Sequence, residues 1–193
     1  MCLAVEEAGV DNNLVITGSK DHFIKIFEMM EGVGGIHNPK MCLKPPHYDG
    51  IEALKISGDF LFSGSRDACI KKWDLQSQRL VQSLNNCHKD WVLSLNTIPN
   101  SNTLVSGCRS GQMKLWSTEN CQLMGDIKAH SSAINAIDTN SSLVFTASSD
   151  NTINLWRRRS NGEPSPEYID EWYTHRLISD NKYQKILFFS FLY

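Results

Sequence analysis

A histidine, a serine and an aspartate stand at His47, Ser63 and Asp67, followed by Trp73. An imidazole, a hydroxyl and a carboxylate are the three groups of a nucleophilic hydrolase, in which the base takes the hydroxyl proton and the carboxylate orients the base. The same set returns at identical spacing as His130, Thr146, Asp150 and Trp156. A nucleophile is made once. A set that recurs with a fixed period, and that includes an indole N–H needing an acceptor when buried, reads instead as scaffolding.

Two further copies are incomplete. One keeps His88, Ser106 and Trp116 but has Ser110 in the place of the aspartate. The first along the chain keeps Thr17 and Asp21, ends on Phe27 and has no preceding histidine.

The elements that carry these residues form a repeat, in segments 14–27, 60–73, 103–116 and 143–156. Their closing aromatics, Phe27, Trp73, Trp116 and Trp156, are 46, 43 and 40 residues apart. Each segment is a run rich in β-branched and aromatic residues, a tight turn of Asp, Asn or Gly type, and a second apolar run, which predicts a β-hairpin. In the second run Ile24 and Ile26 point to one face and Phe27 to the other. Met113 and Leu115 oppose Trp116 in the same way, as Ile153 and Leu155 oppose Trp156. A sheet apolar on both faces must be covered on both. Further strands are expected at 79–84 and 122–128, ahead of a histidine, and at 51–56, 91–98 and 133–138, after one. Residues 1–5 fit the same place at the start of the chain.

Composition narrows the class without naming a partner. The 193 residues are 41% apolar and 21% charged, with a formal net charge of -2, which fits a soluble globular chain and argues against a general nucleic-acid binder. Cysteines 2, 42, 69, 87, 108 and 121 form no C-x-x-C pair and no cluster at zinc spacing. They are expected to be isolated thiols with no metal among them, in a reducing intracellular compartment. Glu6 and Glu7 fall where a signal peptide needs its apolar stretch, and no run approaches the roughly 18 apolar residues of a membrane span.

A period of 40 to 46 residues closed by tryptophan resembles the WD40 repeat. The less generic words P-P-H-Y-D-G-I-E-A-L at 45–54, H-K-D-W-V at 88–92, S-G-C-R-S-G at 106–111 and I-T-G-S-K-D-H-F-I-K at 16–25 occur together and in order. In that combination the chain closely resembles the C-terminal half of the WD40 domain at the tail of kinesin-4 class motor proteins, over about residues 1–157. The resemblance implies an all-β fold of propeller blades. It also implies a relay in which the turn Asp meets the loop His, the hydroxyl connects them and the Trp donates from the next strand.

About 3.5 to 4 four-stranded blades are expected, an incomplete propeller rather than a closed ring. WD40 repeats are expected over 1–157. After the fourth hairpin the chain reads R-R-R-S-N-G-E-P-S-P-E-Y, whose prolines do not suit a central strand. Residues 158–193 are therefore read as a divergent tail, disordered or non-native, unless the apolar run Ile186–Tyr193 adds a strand to an exposed edge. With open edges the isolated chain is expected to be marginally stable, oligomeric or aggregation-prone.

The resemblance implies binding and not motor chemistry. There is no phosphate-loop motif and no sustained heptad pattern, and neither an enzyme activity nor a cofactor is expected. The loops of one propeller rim carry Lys20, Arg66, Arg109 and Ser149 just before the turn Asp position, and Tyr48, Lys89 and Trp91 in the other loop family. A basic rim with aromatic anchors suits an acidic protein partner, and tubulin, microtubules or motor cargo are the partners the family suggests. No nucleic acid is expected, and the location implied is cytoplasmic and cytoskeletal. The alternatives are an adaptor unrelated to motors, such as a ubiquitin-ligase substrate receptor, and a truncated product without independent activity.

Overall fold

Alternating apolar runs separated by residues that tolerate a left-handed backbone produce four antiparallel sheets of four strands each. The computed structural model describes residues 2–7, 12–30, 38–158 and 172–178. The first blade holds β1 (Cys2–Glu7), β2 (Asn12–Gly18), β3 (Ile24–Met30) and β4 (Met41–Cys42). The second holds β5 (Ile51–Ser57), β6 (Phe60–Ser65), β7 (Ile70–Asp74) and β8 (Arg79–Leu84). The third holds β9 (Val92–Thr97), β10 (Thr103–Cys108), β11 (Gln112–Ser117) and β12 (Leu123–Lys128). The fourth holds β13 (Ile134–Thr139), β14 (Leu143–Ser148), β15 (Thr152–Arg158) and β16 (Trp172–Ile178).

Within each blade every strand pairs with its neighbours in sequence, so no strand crosses over another. The second strand turns into the third through a residue in the left-handed region: His22, Ala68, Gly111 and Asn151 in the four blades. The hairpins expected from the repeat are β2–β3, β6–β7, β10–β11 and β14–β15. Two outer strands fall where the repeat pattern pointed to none. Met41–Cys42 is a two-residue strand, and Trp172–Ile178 pairs along the whole of β15, from Arg158↔Trp172 to Thr152↔Ile178. The run Ile186–Tyr193 lies outside the described residues.

The blades stack in chain order through their inner strands, β1 on β5, β5 on β9 and β9 on β13. Among the described residues they make an open arc of blades. The three seams between them are the core. Ile16, Ile24 and Ile26 of the first blade meet Leu54, Leu61 and Trp73 of the second. Phe62 and Ile70 of the second meet Val92, Leu95, Leu104 and Trp116 of the third, and Val105, Met113 and Leu115 meet Ile134, Ile137, Val144 and Trp156. Each blade is thus apolar on both faces because it is a filling between two others. The close fit at the seams uses one repeated glycine. A Cβ at Gly18, Gly64 or Gly107 would lie 2.5 to 2.7 Å from the nearest side-chain atom, Ile51 and Val92 of the following blade at the first two and Ser94 and Ile134 at the third.

Candidate functional site

The loop before each of the last three inner strands brings a histidine to the hairpin that follows it in the chain. In the second blade the indole N–H of Trp73 donates to Ser63 Oγ at 2.9 Å, Ser63 lies 2.8 Å from His47 Nε2, and His47 Nδ1 lies 2.9 Å from Asp67 Oδ2. The partners set the tautomer: Nδ1–H donates to the carboxylate and Nε2 accepts from the serine. In the fourth blade Trp156 donates to Thr146 Oγ1 at 2.9 Å, Thr146 is 2.7 Å from His130 Nε2, and His130 Nδ1 is 3.1 Å from Asp150 Oδ2. Ser63 and Thr146 have no exposed surface. A hydroxyl that is sealed and already accepts from an indole is not placed to attack a substrate.

The carboxylates carry the relay to the backbone. Asp67 also accepts from the N–H groups of Tyr48 and Cys69, and Asp150 from those of Ser131 and Thr152. Burial alone would raise the Asp67 carboxyl; the hydrogen bond and charge of His47, with the two N–H donors, outweigh it and bring the pKa to about 2. Burial likewise opposes ionisation at Asp150, where hydrogen bonds from Thr152, Ser131 and His130 outweigh it and hold the carboxyl well below its usual range.

The third blade has the relay without its last member. Trp116 donates to Ser106 Oγ at 2.8 Å and Ser106 is 2.7 Å from His88 Nε2, but His88 Nδ1 is buried with no partner. Ser110 Oγ lies instead 3.1 Å from Cys108 Sγ. Desolvation, with Lys114 nearby, brings the His88 pKa down to about 4. Asp67→Ala is therefore expected to cost about 2 kcal/mol, since it strands a buried imidazole N–H and two backbone donors, while Ser110→Ala removes no relay bond and costs a few tenths. Urea titration of the two variants tests this, and equal or reversed losses defeat the argument. In the first blade Thr17, Asp21 and Phe27 are not joined into a relay. Asp21 instead pairs with Lys25 and accepts from the Phe23 N–H.

One periodic device was not read from the sequence. The third strand of each of the last three blades sends a side chain to the carbonyl just before the loop histidine. Lys71 Nζ donates to Pro46 O at 2.8 Å, Lys114 Nζ to Cys87 O at 2.8 Å and Asn154 Nδ2 to Ala129 O at 2.8 Å. Lys72, also buried, reaches across a seam to the carbonyls of Thr118 and Glu119 at 2.7 and 2.9 Å. These ammonium groups spend their donors on holding loops.

A second set of cations lies on the rim. The backbone N–H of Arg66 donates to Gly50 O, that of Arg109 to Trp91 O and that of Ser149 to Ala133 O, tying each turn to the start of its own inner strand. This brings Trp91 between two guanidiniums, with the Arg66 and Arg109 Cζ atoms each 4.4 Å from its ring centroid. Arg66 is also paired with Glu52, a residue at the bulge of β5 that the sequence reading passed over. Arg109 has no ion-pair partner among the described residues. Asn135, at the matching bulge of β13, donates to Ser149 Oγ at 2.8 Å. Lys20 packs by its backbone near Gly50, next to Arg66, and so continues the row. Tyr48 is 87% exposed and Lys89 is exposed, each on the loop that follows its histidine.

The family model described as WD domain, G-beta repeat matches residues 40–74, 78–117 and 121–157. The chain is 50% identical over 160 residues to human Kinesin-like protein KIF21A and 53% identical over 156 residues to human Kinesin-like protein KIF21B. These matches cover 83% and 81% of this chain and 10% of each relative. Kinesin-like protein klp-12 of Caenorhabditis elegans is 31% identical over 162 residues, 81% of this chain and 10% of that protein. The chain thus spans about a tenth of the length of these curated relatives. Among solved structures, the computationally designed Ika8 protein superposes with a TM-score of 0.64 at 26% identity, over 80% of this chain and 45% of that one. The designed Ika4 protein superposes with a TM-score of 0.68 at 24% identity, over 80% of this chain and 88% of that one, a likeness of fold.

Proposed function

This chain belongs to the WD40 repeat family, and from that premise we propose that it is a non-enzymatic binding module whose basic rim docks an acidic protein surface. It is a protein-interaction domain similar to part of the kinesin-like KIF21 proteins. The finer reading is that the partner is tubulin or the microtubule surface, with motor cargo as the other family-suggested occupant, and that the protein works on the cytoskeleton in the cytoplasm. No helix among the described residues is long and apolar enough to cross a membrane.

The observation that carries the reading is the Arg66–Trp91–Arg109 stack. Two guanidiniums fixed against one indole are already ordered, so a carboxylate-rich partner meets them without the entropy loss of gathering free side chains. The three relays support a scaffold rather than a reaction, since their hydroxyls are sealed and shared with tryptophans.

Charge reversal separates the two arginines. Arg109→Glu is expected to weaken microtubule co-sedimentation on the order of tenfold and to flatten its salt dependence. Arg66→Glu should have a smaller effect, because Glu52 already offsets that charge. Unchanged pelleting of the Arg109 variant removes the rim from the proposal.

A further inference from the structure

The turn of the third blade is built like its neighbours and lacks only a side chain long enough to use it. The Gly111 N–H donates to Cys108 O at 3.0 Å, as that of Ala68 does to Ser65 O and that of Asn151 to Ser148 O, each at 3.2 Å. The donor residue has a positive φ in all three turns. Ser110 therefore starts from the same backbone as Asp67 and Asp150. A carboxylate oxygen stands two bonds beyond Cβ and a hydroxyl oxygen one. Asp67 thus spans to His47 Nδ1, whereas Ser110 Oγ rests 3.1 Å from Cys108 Sγ and His88 Nδ1 stays buried without a partner.

The surroundings suit more negative charge than a hydroxyl brings. Lys128 Nζ donates to the carbonyl of Ser110 itself. Arg109, the preceding residue, is exposed, stacks on Trp91 and has no ion-pair partner among the described residues. Lys89, which follows His88, is exposed as well, and its N–H occupies the place of those of Tyr48 and Ser131, which donate to the relay carboxylates. Asp126, the carboxylate whose charge acts on His88, is engaged by Gln112 Nε2 at 2.6 Å and Lys114 Nζ at 3.4 Å.

We propose that Ser110 is a phosphorylation site, and that its phosphate takes the place of the absent aspartate and closes the third relay. A protein kinase transfers the γ-phosphoryl group of a nucleoside triphosphate. The bond from Ser110 Oγ to phosphorus forms, the β–γ bridging P–O bond breaks, the hydroxyl proton passes to the kinase base and the nucleoside diphosphate leaves. The ester oxygen then lies where a carboxyl carbon would, and rotation about Cα–Cβ and Cβ–Oγ turns one terminal oxygen onto His88 Nδ1. Ser110 is half-buried at the rim, so the other oxygens face Arg109, Lys89 and water. No existing relay bond is broken, since Trp116, Ser106 and His88 Nε2 keep theirs. Ser131 and Ser149, on the same rim, offer no such gap, because His130 Nδ1 already has Asp150. Arg109 spent on the phosphate is also withdrawn from an acidic partner, a consequence that rests on the rim reading and on which blade stability does not depend.

The test places phosphoserine at position 110 of the full chain during synthesis and compares that protein with itself after phosphatase treatment. In urea titration at pH 7 the phosphorylated form is expected to unfold with an equilibrium constant about tenfold lower. His88, followed by imidazole nitrogen NMR, is expected to titrate well above the value of about 4 that burial gives it unmodified, and to return there once the phosphate is removed. In a His88→Phe chain, which has no ring nitrogen to meet the phosphate, the gain should shrink to about twofold or less, the size of an exposed charge effect. Should that variant not fold, the NMR titration decides alone. Mass spectrometry of the chain made in cultured human cells with phosphatases inhibited is expected to find the phosphate on the peptide carrying Ser110. An unfolding constant unchanged by the phosphate, a tenfold gain that survives the loss of His88, a His88 titration that ignores phosphatase, or a Ser110 left bare in cells would each overturn the proposal.

Discussion

Gly111→Ala is expected to destabilise the chain by about 4 kcal/mol or more in urea titration, the largest loss from any single methyl group added to the third blade. Gly111 has φ +80, and a Cβ on it would lie 2.3 Å from the carbonyl oxygen of His130 and 2.6 Å from that of Ser132. Both obstacles are backbone, so no rotamer change clears them. The loop cannot retreat cheaply, because the Gly111 carbonyl accepts from the N–H groups of Ala129 and His130. Moving that loop pulls His130 off Thr146 and Asp150. The second blade supplies the control. Ala68 occupies the same turn position at φ 61 with its Cβ accommodated, so Ala68→Gly should cost less than about 1 kcal/mol. A loss below about 1 kcal/mol for Gly111→Ala would mean that the loop gives way and that the contact is not a constraint.

The second large effect is acid sensitivity through His88. Its folded pKa of about 4 lies below the ordinary histidine value of 6.5 because burial disfavours the charged ring. Between those two values the unfolded chain binds a proton that the folded chain refuses. The contribution is therefore intact above pH 6.5 and is lost as the pH falls toward 4, by on the order of 3 kcal/mol in total. Ser110→Asp should put an acceptor at the unpartnered Nδ1, add about 1 kcal/mol at pH 7, and remove most of that slope. The comparison isolates the pair formed by His88 and residue 110, since every other titrating group is common to both proteins. Stability curves from pH 7 to 4 that run parallel in the parent and the variant would show that Nδ1 is not the source.

Legibility followed periodicity. The hairpins could be read because successive residues of runs such as 60–65 face opposite seams and are apolar on both, and the tetrads because His, Ser or Thr, Asp and Trp recur at fixed intervals. What escaped was whatever lacked a pattern or depended on a third dimension. β4 is two residues long and has no alternation to detect. β16 follows a proline-containing stretch outside the repeat, although its run W-Y-T-H-R-L-I has the aromatic and β-branched content of a strand. Lys71, Lys72 and Lys114 look in sequence like solvated charges between apolar residues. Their long apolar stems let the ammonium groups reach carbonyls that lie far off along the chain, and no local window reveals that. Of the six residues expected on the binding rim, the pairing of Arg66, Trp91 and Arg109 was not visible either, because it joins a turn of one blade to the loop and turn of the next.

The order of strands has a consequence during synthesis. Each blade closes from consecutive strands, so it can fold as soon as its own residues leave the ribosome. Its second face must then wait for the following blade. One repeat of 43 residues takes roughly 2 to 9 s at ordinary elongation rates, and for that interval Phe62 and Ile70 stand in water with nothing to meet. A nascent chain carrying these blades therefore exposes one sticky face at a time, always the newest, and its need for chaperone cover should move along the message in steps of one repeat.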